Sequence, residues 1–241
     1  MKNFSRFTSH LSLFLLSIFP LPVFSQQVNP RAASIADSVM IAMGGKQNWD
    51  NAHYLHWNYF GRRILWWDKW TGNVRIEIPA KKLLILTNIN TKQGHVYRFG
   101  NELTQPDSMN YFMDRGYKIW ANDSYWLIMP FKLKDPGVNM KYLGAEKDSL
   151  GKDCYLLELT FNNVGVTPEN KYHVYIDRKT YLVTEFDFYN KSTDEKPEFR
   201  DPWQDYRQYG KILIAGDRGG DGKITEITVS DEIPAGLFEK P

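Results

Sequence analysis

Asn122-Asp-Ser-Tyr-Trp-Leu-Ile-Met-Pro-Phe-Lys-Leu-Lys-Asp-Pro-Gly-Val138 is an aromatic-rich apolar run that Pro130 stops and two lysines follow at once. A short apolar helix ending in a cationic loop has the form of a lid over an apolar cavity. Tyr125 to Met129 would be the cover and Pro130 its stop. Lys132 and Lys134 flank Leu133, so in an extended loop both would point one way, towards a polar head group, while Leu133 points inward. Trp126, Met129 and Phe131 offer adaptable apolar contact, worth about 1.5–3 kcal/mol per buried side chain, to a ligand or to a core alike.

The periodicity on either side of this segment sets the fold. Upstream, Met109, Phe112, Met113, Tyr117 and Trp120 make one helical stripe behind the start signal Pro106-Asp107-Ser108. From Tyr54 to Phe99 the period is two. Leu55, Trp57 and Tyr59 share one side of a strand, and Ile64 and Trp66 share one side of the next. Val74, Ile76 and Ile78 repeat the pattern, and two more strands follow over 83–89 and 95–99. Beyond Asp135-Pro-Gly, strands are predicted over 138–143, 154–161, 171–176, 181–189, 204–214 and 223–230, joined by Gly, Asn and Asp turns. A first amphipathic helix carries Ile35, Val39 and Ala42 or Met43 at helical spacing and ends at Gly44-Gly45.

These elements make a mainly antiparallel β fold with helices (α+β), of about ten or eleven strands. An aromatic sheet face needs a cover, and a strongly curved, incomplete β-barrel beneath a helical lid supplies one. Trp57, Tyr59 and Trp66 would line its inside, with Arg75, Glu77, Lys171 and Asp177 facing water. No low-complexity linker or internal repeat divides the chain, so 26–241 reads as a single domain.

Residues 1–25 read as a cleaved signal peptide: Lys2 and Arg6, an apolar block from Leu11 to Phe24, then Val23 and Ser25 as small residues before the cut. The block is shorter than the roughly 20 apolar residues of a membrane span. No cysteine stands at the cut, which argues against a lipid anchor. Loss of the leader removes two of the 30 basic residues and no acid, leaving 28 against 28. The mature chain is formally neutral, so nucleic acid is not expected as a partner. Aromatics at 15% are enough to line a cavity as well as fill a core.

Chemical motifs are sparse. Cys154 is the only cysteine, which excludes an intrachain disulfide, and its apolar strand reads as a packed thiol. His53 and His56 fall on opposite faces of one strand, so no metal is expected there. Asp217-Arg-Gly-Gly-Asp-Gly lacks the oxygen ligands a calcium loop needs at its third and twelfth positions and reads as a glycine-rich turn. Glu185 and Asp187 alternate on one strand as on an exposed face. No Gly-x-Ser-x-Gly, His-Glu-x-x-His or phosphate-cradling loop occurs, and neither catalysis nor a cofactor is expected.

The order of parts resembles the LolA-like lipoprotein-carrier superfamily and its envelope families of unknown function. The likeness rests on Met43-Gly44-Gly45 with Trp49, Tyr125 to Pro130 followed by Lys132 and Asp135-Pro-Gly, and the ending Ile233-Pro-Ala-Gly-Leu-Phe238. It implies a periplasmic carrier for a lipophilic ligand, a small lipid, an acyl chain or a lipoprotein, with envelope membrane proteins as partners. It also implies an arginine of the barrel contacting the lid; Arg62, Arg63 and Arg75 lie on early strands. The candidate ligand-binding residues are Trp57, Tyr59, Trp66, Tyr125, Trp126, Met129, Phe131, Lys132 and Lys134. Two other readings stand beside it: a secreted carbohydrate-binding module with exposed rings, and an envelope scaffold with a filled core. Oligomeric state is not legible.

Overall fold

A computed structural model describes residues 29–241; the signal-peptide reading lies outside the described residues. Asn29 caps the first helix, α1 (Pro30–Ala42), by accepting from the Arg31 and Ala32 amides, and Pro30 opens it. Ile35 and Val39 are on its buried face. The chain then reverses through Gly44, whose missing Cβ would lie 2.4 Å from the Lys211 carbonyl oxygen, into α2 (Lys46–Asn51). An antiparallel meander follows: β1 (Tyr54–Tyr59), β2 (Arg63–Asp68), β3 (Asn73–Ile78), β4 (Leu83–Asn88), β5 (Gln93–Arg98) and the short β6 (Asn101–Glu102). The long helix α3 (Pro106–Ile128) ends in a 3-10 turn, Met129–Lys132.

The second half contributes β7 (Val138–Lys147), β8 (Asp153–Phe161), β9 (Lys171–Asp177), β10 (Val183–Tyr189) and β11 (Phe199–Pro202). The hairpin β12 (Gln204–Tyr209) with β13 (Ile212–Asp217) and the last strand, β14 (Ile224–Ser230), complete it. Seven strands form one sheet in the order β14-β1-β2-β3-β4-β5-β6, and five form another in the order β11-β10-β9-β8-β7. Both remain open, with helices covering them rather than a barrel closing. Among the described residues the strands number fourteen, more than the sequence pattern indicates. Gly210, at φ 59°, turns the chain inside what reads as one strand over 204–214 and makes a hairpin of it.

The core fills the space between the sheets and α3. Leu55, Trp57, Tyr59, Leu65, Trp67, Val74, Ile76 and Ile85 bury the inner face of the larger sheet. Trp66 is a correction: Leu65 and Trp67 take the inner face, and Trp66 lies on the outer one, stacked on His56 at 3.9 Å. Ile64-Leu65-Trp66-Trp67 is apolar at every position, so its period cannot name the inner side. Gly116 lets α3 approach closely, since a Cβ there would meet Ile85 Cγ2 at 3.0 Å and Thr87 Cγ2 at 3.3 Å. Gly116→Val is therefore expected to cost about 1–3 kcal/mol by overpacking, read from the urea midpoint.

The outer faces are less wet than alternation suggests. Arg75 donates to Glu77 and, through Nη1, to the Leu237 and Lys240 carbonyls at 3.1 and 2.7 Å, which ties the C-terminal tail across the sheet. Lys171 is buried, bonded to the Asp194 carbonyl and set over the Tyr189 ring at 4.3 Å. Asp177 turns back to accept from the Lys179 and Thr180 amides. Glu185 and Asp187 are buried too, because β11 brings Arg200 alongside: its Nη2 donates to Asp187 at 3.0 Å, and Tyr175 donates to the same carboxylate.

Two histidines share this partial burial, and burial lowers the pKa of both His56 and His173. A folded-state pKa below the unfolded one means that the unfolded chain binds more protons between the two values. Stability contributed by the neutral rings is present above about pH 6.5 and lost as pH falls below it. The urea midpoint should drop on acidification through that window, less so in His56→Gln and His173→Gln variants.

Candidate functional site

α3 begins over the larger sheet and ends over the smaller one, and two arginines distant in sequence, one on a strand and one in a turn, fix its C-terminal half. Arg63, at the start of β2, forks onto Asp123 with Nε at 2.6 Å from Oδ2 and Nη2 at 2.8 Å from Oδ1. Asp123 is fully buried, and burial raises its carboxyl pKa while the Arg63 bonds oppose the shift. Tyr59 stands beneath this pair with the Arg63 guanidinium 4.8 Å from its ring centroid, and burial pushes its hydroxyl up to about 12.

Arg218 holds the end of the helix. Its Nε and Nη2 donate to the Trp126 carbonyl at 3.1 and 2.6 Å, Nη2 also to the Ala215 carbonyl at 3.0 Å, and Nη1 to the Asp217 backbone carbonyl at 2.9 Å. The guanidinium lies 3.4 Å from the Trp203 ring centroid. Trp126 is in the last turn of α3, whose carbonyls lack helical partners, so a buried cation caps it and meets the negative end of the helix dipole. Burial pushes the Arg218 pKa down to about 9, which leaves the group protonated at neutral pH.

Beneath this half of the helix lies a cavity of about 240 Å³. Tyr117, Trp120, Ala121, Tyr125 and Trp126 form one wall, Val138, Phe161 and Tyr172 a second, and residues 164–167 a third. Tyr125, Phe161 and Tyr172 make an aromatic triangle with centroid separations of 5.5–6.3 Å. Burial raises the Tyr125 hydroxyl pKa well above its ordinary value and pushes Tyr172 up to about 12, so these walls stay uncharged. Ser124, Thr167 and the ion-paired Lys132 and Asp135 supply the polar part. Such a space can hold an apolar group and present a polar end to a zwitterionic edge. Among the described residues no cluster of three or more His, Cys, Asp or Glu side chains is arranged for a metal.

Of the nine sequence candidates, Tyr125, Trp126 and Lys132 line this cavity. Trp57, Tyr59, Met129 and Phe131 lie in the core, with Phe131 stacked on Trp49 at 4.4 Å, and Trp66 is on the outer face. The lysines do not form a shared rim. Leu133 is helical rather than extended, so Lys134 turns to Asp37 on α1 at 2.6 Å and Lys132 pairs with Asp135. Trp120, Phe161, Tyr172 and residues 164–167 escaped the sequence reading. Phe161 and Tyr172 had a signal, being rings on predicted strands, whereas the loop had none.

A family model described as a family of unknown function, DUF6503, matches residues 74–217, more than half of the chain. The chain belongs to DUF6503. The matched span contains all of α3 and every cavity residue, while Arg63 and Arg218 fall just outside it. Among solved structures, this DUF6503 protein is similar to a DUF1329 family protein from Desulfovibrio piger, with 13% identity and a TM-score of 0.46, covering 86% of this chain and 97% of that one. It is also similar to MucB, solved in complex with MucA(peri), at 10% identity and a TM-score of 0.26, over 87% of this chain and 60% of that one. No curated protein matches. Neither structural likeness bears on what the cavity holds.

Proposed function

We propose that this protein is an exported, periplasmic binding protein that shelters one lipophilic group in the cavity beneath the C-terminal half of α3. The observation that carries the reading is the mainly aromatic, apolar lining of a 240 Å³ space under a helix pinned by two arginines. The leader read over residues 1–25 supports export. The contact from Arg63 on β2 to Asp123 on α3 is of the kind the LolA-like resemblance implies between barrel and lid. Affinity would come from apolar burial, exchange from lifting of α3, and no chemical step is required.

Size narrows the ligand. An apolar cavity of about 150 Å³ takes benzene, and drug-sized ligands occupy about 300–1,000 Å³. The space therefore suits one ring system or a short stretch of a single chain. A bundle of acyl chains would fit only after α3 moves. Among the described residues, the most exposed rings do not assemble into a flat strip of the sort a sugar needs: Trp70, Phe99 and Tyr111 lie on separate elements.

Native mass spectrometry of the protein recovered after export, before and after delipidation, tests this. A bound single-chain lipophile, or uptake of added decanoate by the delipidated protein, is the expected result. Ala121→Phe, which fills the cavity from a helical position, should lower decanoate affinity at least ~10-fold without lowering the melting temperature, because burial of a chain is then blocked. No bound lipophile and no uptake would contradict the proposal.

A further inference from the structure

The meander places three of its turns, residues 60–62, 79–82 and 99–100, at one end of the larger sheet. Each has a non-glycine residue in the left-handed region: Phe60 at φ 54°, Lys82 at 44° and Phe99 at 52°. Phe99 is the least expected. It opens a two-residue turn with Gly100 between the paired Arg98 and Asn101, where both central residues need positive φ and Asn, Asp or Gly is favoured. Its amide donates to the Lys82 carbonyl at 2.9 Å, which ties two of the turns together.

The strained turn also holds its ring in water: Phe99 is 62% exposed. Cations surround it, with the Lys82 ammonium 6.0 Å and the Arg98 guanidinium 5.5 Å from the ring centroid. Lys81 and Arg62 are exposed on the neighbouring turns. Two carboxylates on these strands have partners, Glu77 in Arg75 and Glu102 in His95. Asp221, an exposed acid just before β14, adjoins the Arg62 turn, where the Phe60 amide donates to the Lys223 carbonyl, but is five strand spacings, about 24 Å along the sheet, from the Phe99 turn. Strain kept at an exposed aromatic, inside a row in which cations outnumber acids, asks for a surface that is both anionic and apolar just below.

We infer that this end of the larger sheet docks on an anionic lipid surface, with Phe99 entering the headgroup layer and Arg62, Lys81, Lys82 and Arg98 meeting lipid phosphates. Hairpin turns two strands apart, about 10 Å, can touch a flat membrane together. The inference does not depend on what the cavity binds.

Flotation of the purified exported protein with phosphatidylcholine vesicles, alone or containing phosphatidylglycerol, tests it. The expected result is partition onto the anionic vesicles only, weakening as salt is raised. Lys82→Asn and Arg98→Gln should each lower partition roughly 5-fold. Phe99→Asn is the decisive variant, because asparagine suits the left-handed position: it should melt no lower than the native protein yet float at least ~5-fold less. Equal partition onto both kinds of vesicle, or unchanged partition of Phe99→Asn, would overturn the inference.

Discussion

Arg63→Met is expected to remove about 3–5 kcal/mol of folding free energy, because it strands the Asp123 carboxylate in a place with no access to water. Arg63 supplies both of the hydrogen bonds that fork onto that carboxylate from the larger sheet, and Asn122 supplies one from the same helix. A single amide donor does not compensate a buried charge. The loss should show in the urea midpoint and in faster amide exchange over the second half of α3. Arg63→Met combined with Asp123→Leu should recover most of the loss, since well-packed apolar groups replace a buried ion pair at little cost. A double variant as unstable as the single one would show that the pair is not what Arg63 contributes.

Arg218→Met should cost a similar amount, about 3–5 kcal/mol, by another route. It leaves the Trp126 and Ala215 carbonyls without the donor that serves them, at about 1–3 kcal/mol for each buried orphan, and it removes the stack on Trp203. Arg218→Lys should rescue little, because one ammonium cannot span carbonyls on two elements while lying flat on an indole. Urea melts of the two variants should lie close together, with amide protection lost first at residues 124–128. If Arg218→Lys restored native stability, the planar fork would not be what holds the helix end.

Both arginines bear on how much the sequence discloses. The antiparallel sheets, the amphipathic α1 and the long apolar helix ahead of Pro130 are legible because period and punctuation agree there. Agreement fails where tertiary partners decide. Ile64 to Trp67 is apolar on both faces, and only β1 and β3 on either side determine that Leu65 and Trp67 point inward. Arg218 sits in Asp217-Arg-Gly-Gly-Asp-Gly, where an arginine reads as solvated, yet the turn folds it under Trp203 and onto a helix 92 residues earlier in the chain. Glu185 and Asp187 look like an exposed acidic face until Arg200 arrives on β11.

The candidate site was legible in part for the same reason. Tyr125 to Lys132 stands out by composition, and three of its residues do line the cavity. The opposite wall comes from β7, β8, β9 and the loop between β8 and β9, joined to α3 only through tertiary packing. The lysine pair failed as a rim because Met129–Lys132 continues as a tight helical turn, which sends Lys132 and Lys134 to different carboxylates.

The central claim is that one lipophilic group lies between the second half of α3 and the smaller sheet. Photolabelling with a single-chain fatty acid bearing a diazirine near its methyl end, followed by peptide mapping, tests it most directly. Labels on Trp120, Tyr125, Phe161 or Tyr172, competed by unlabelled fatty acid and lost in Ala121→Phe, are predicted. Labels spread over the surface, or confined to Phe99 and Trp70 with the cavity residues untouched, would contradict it.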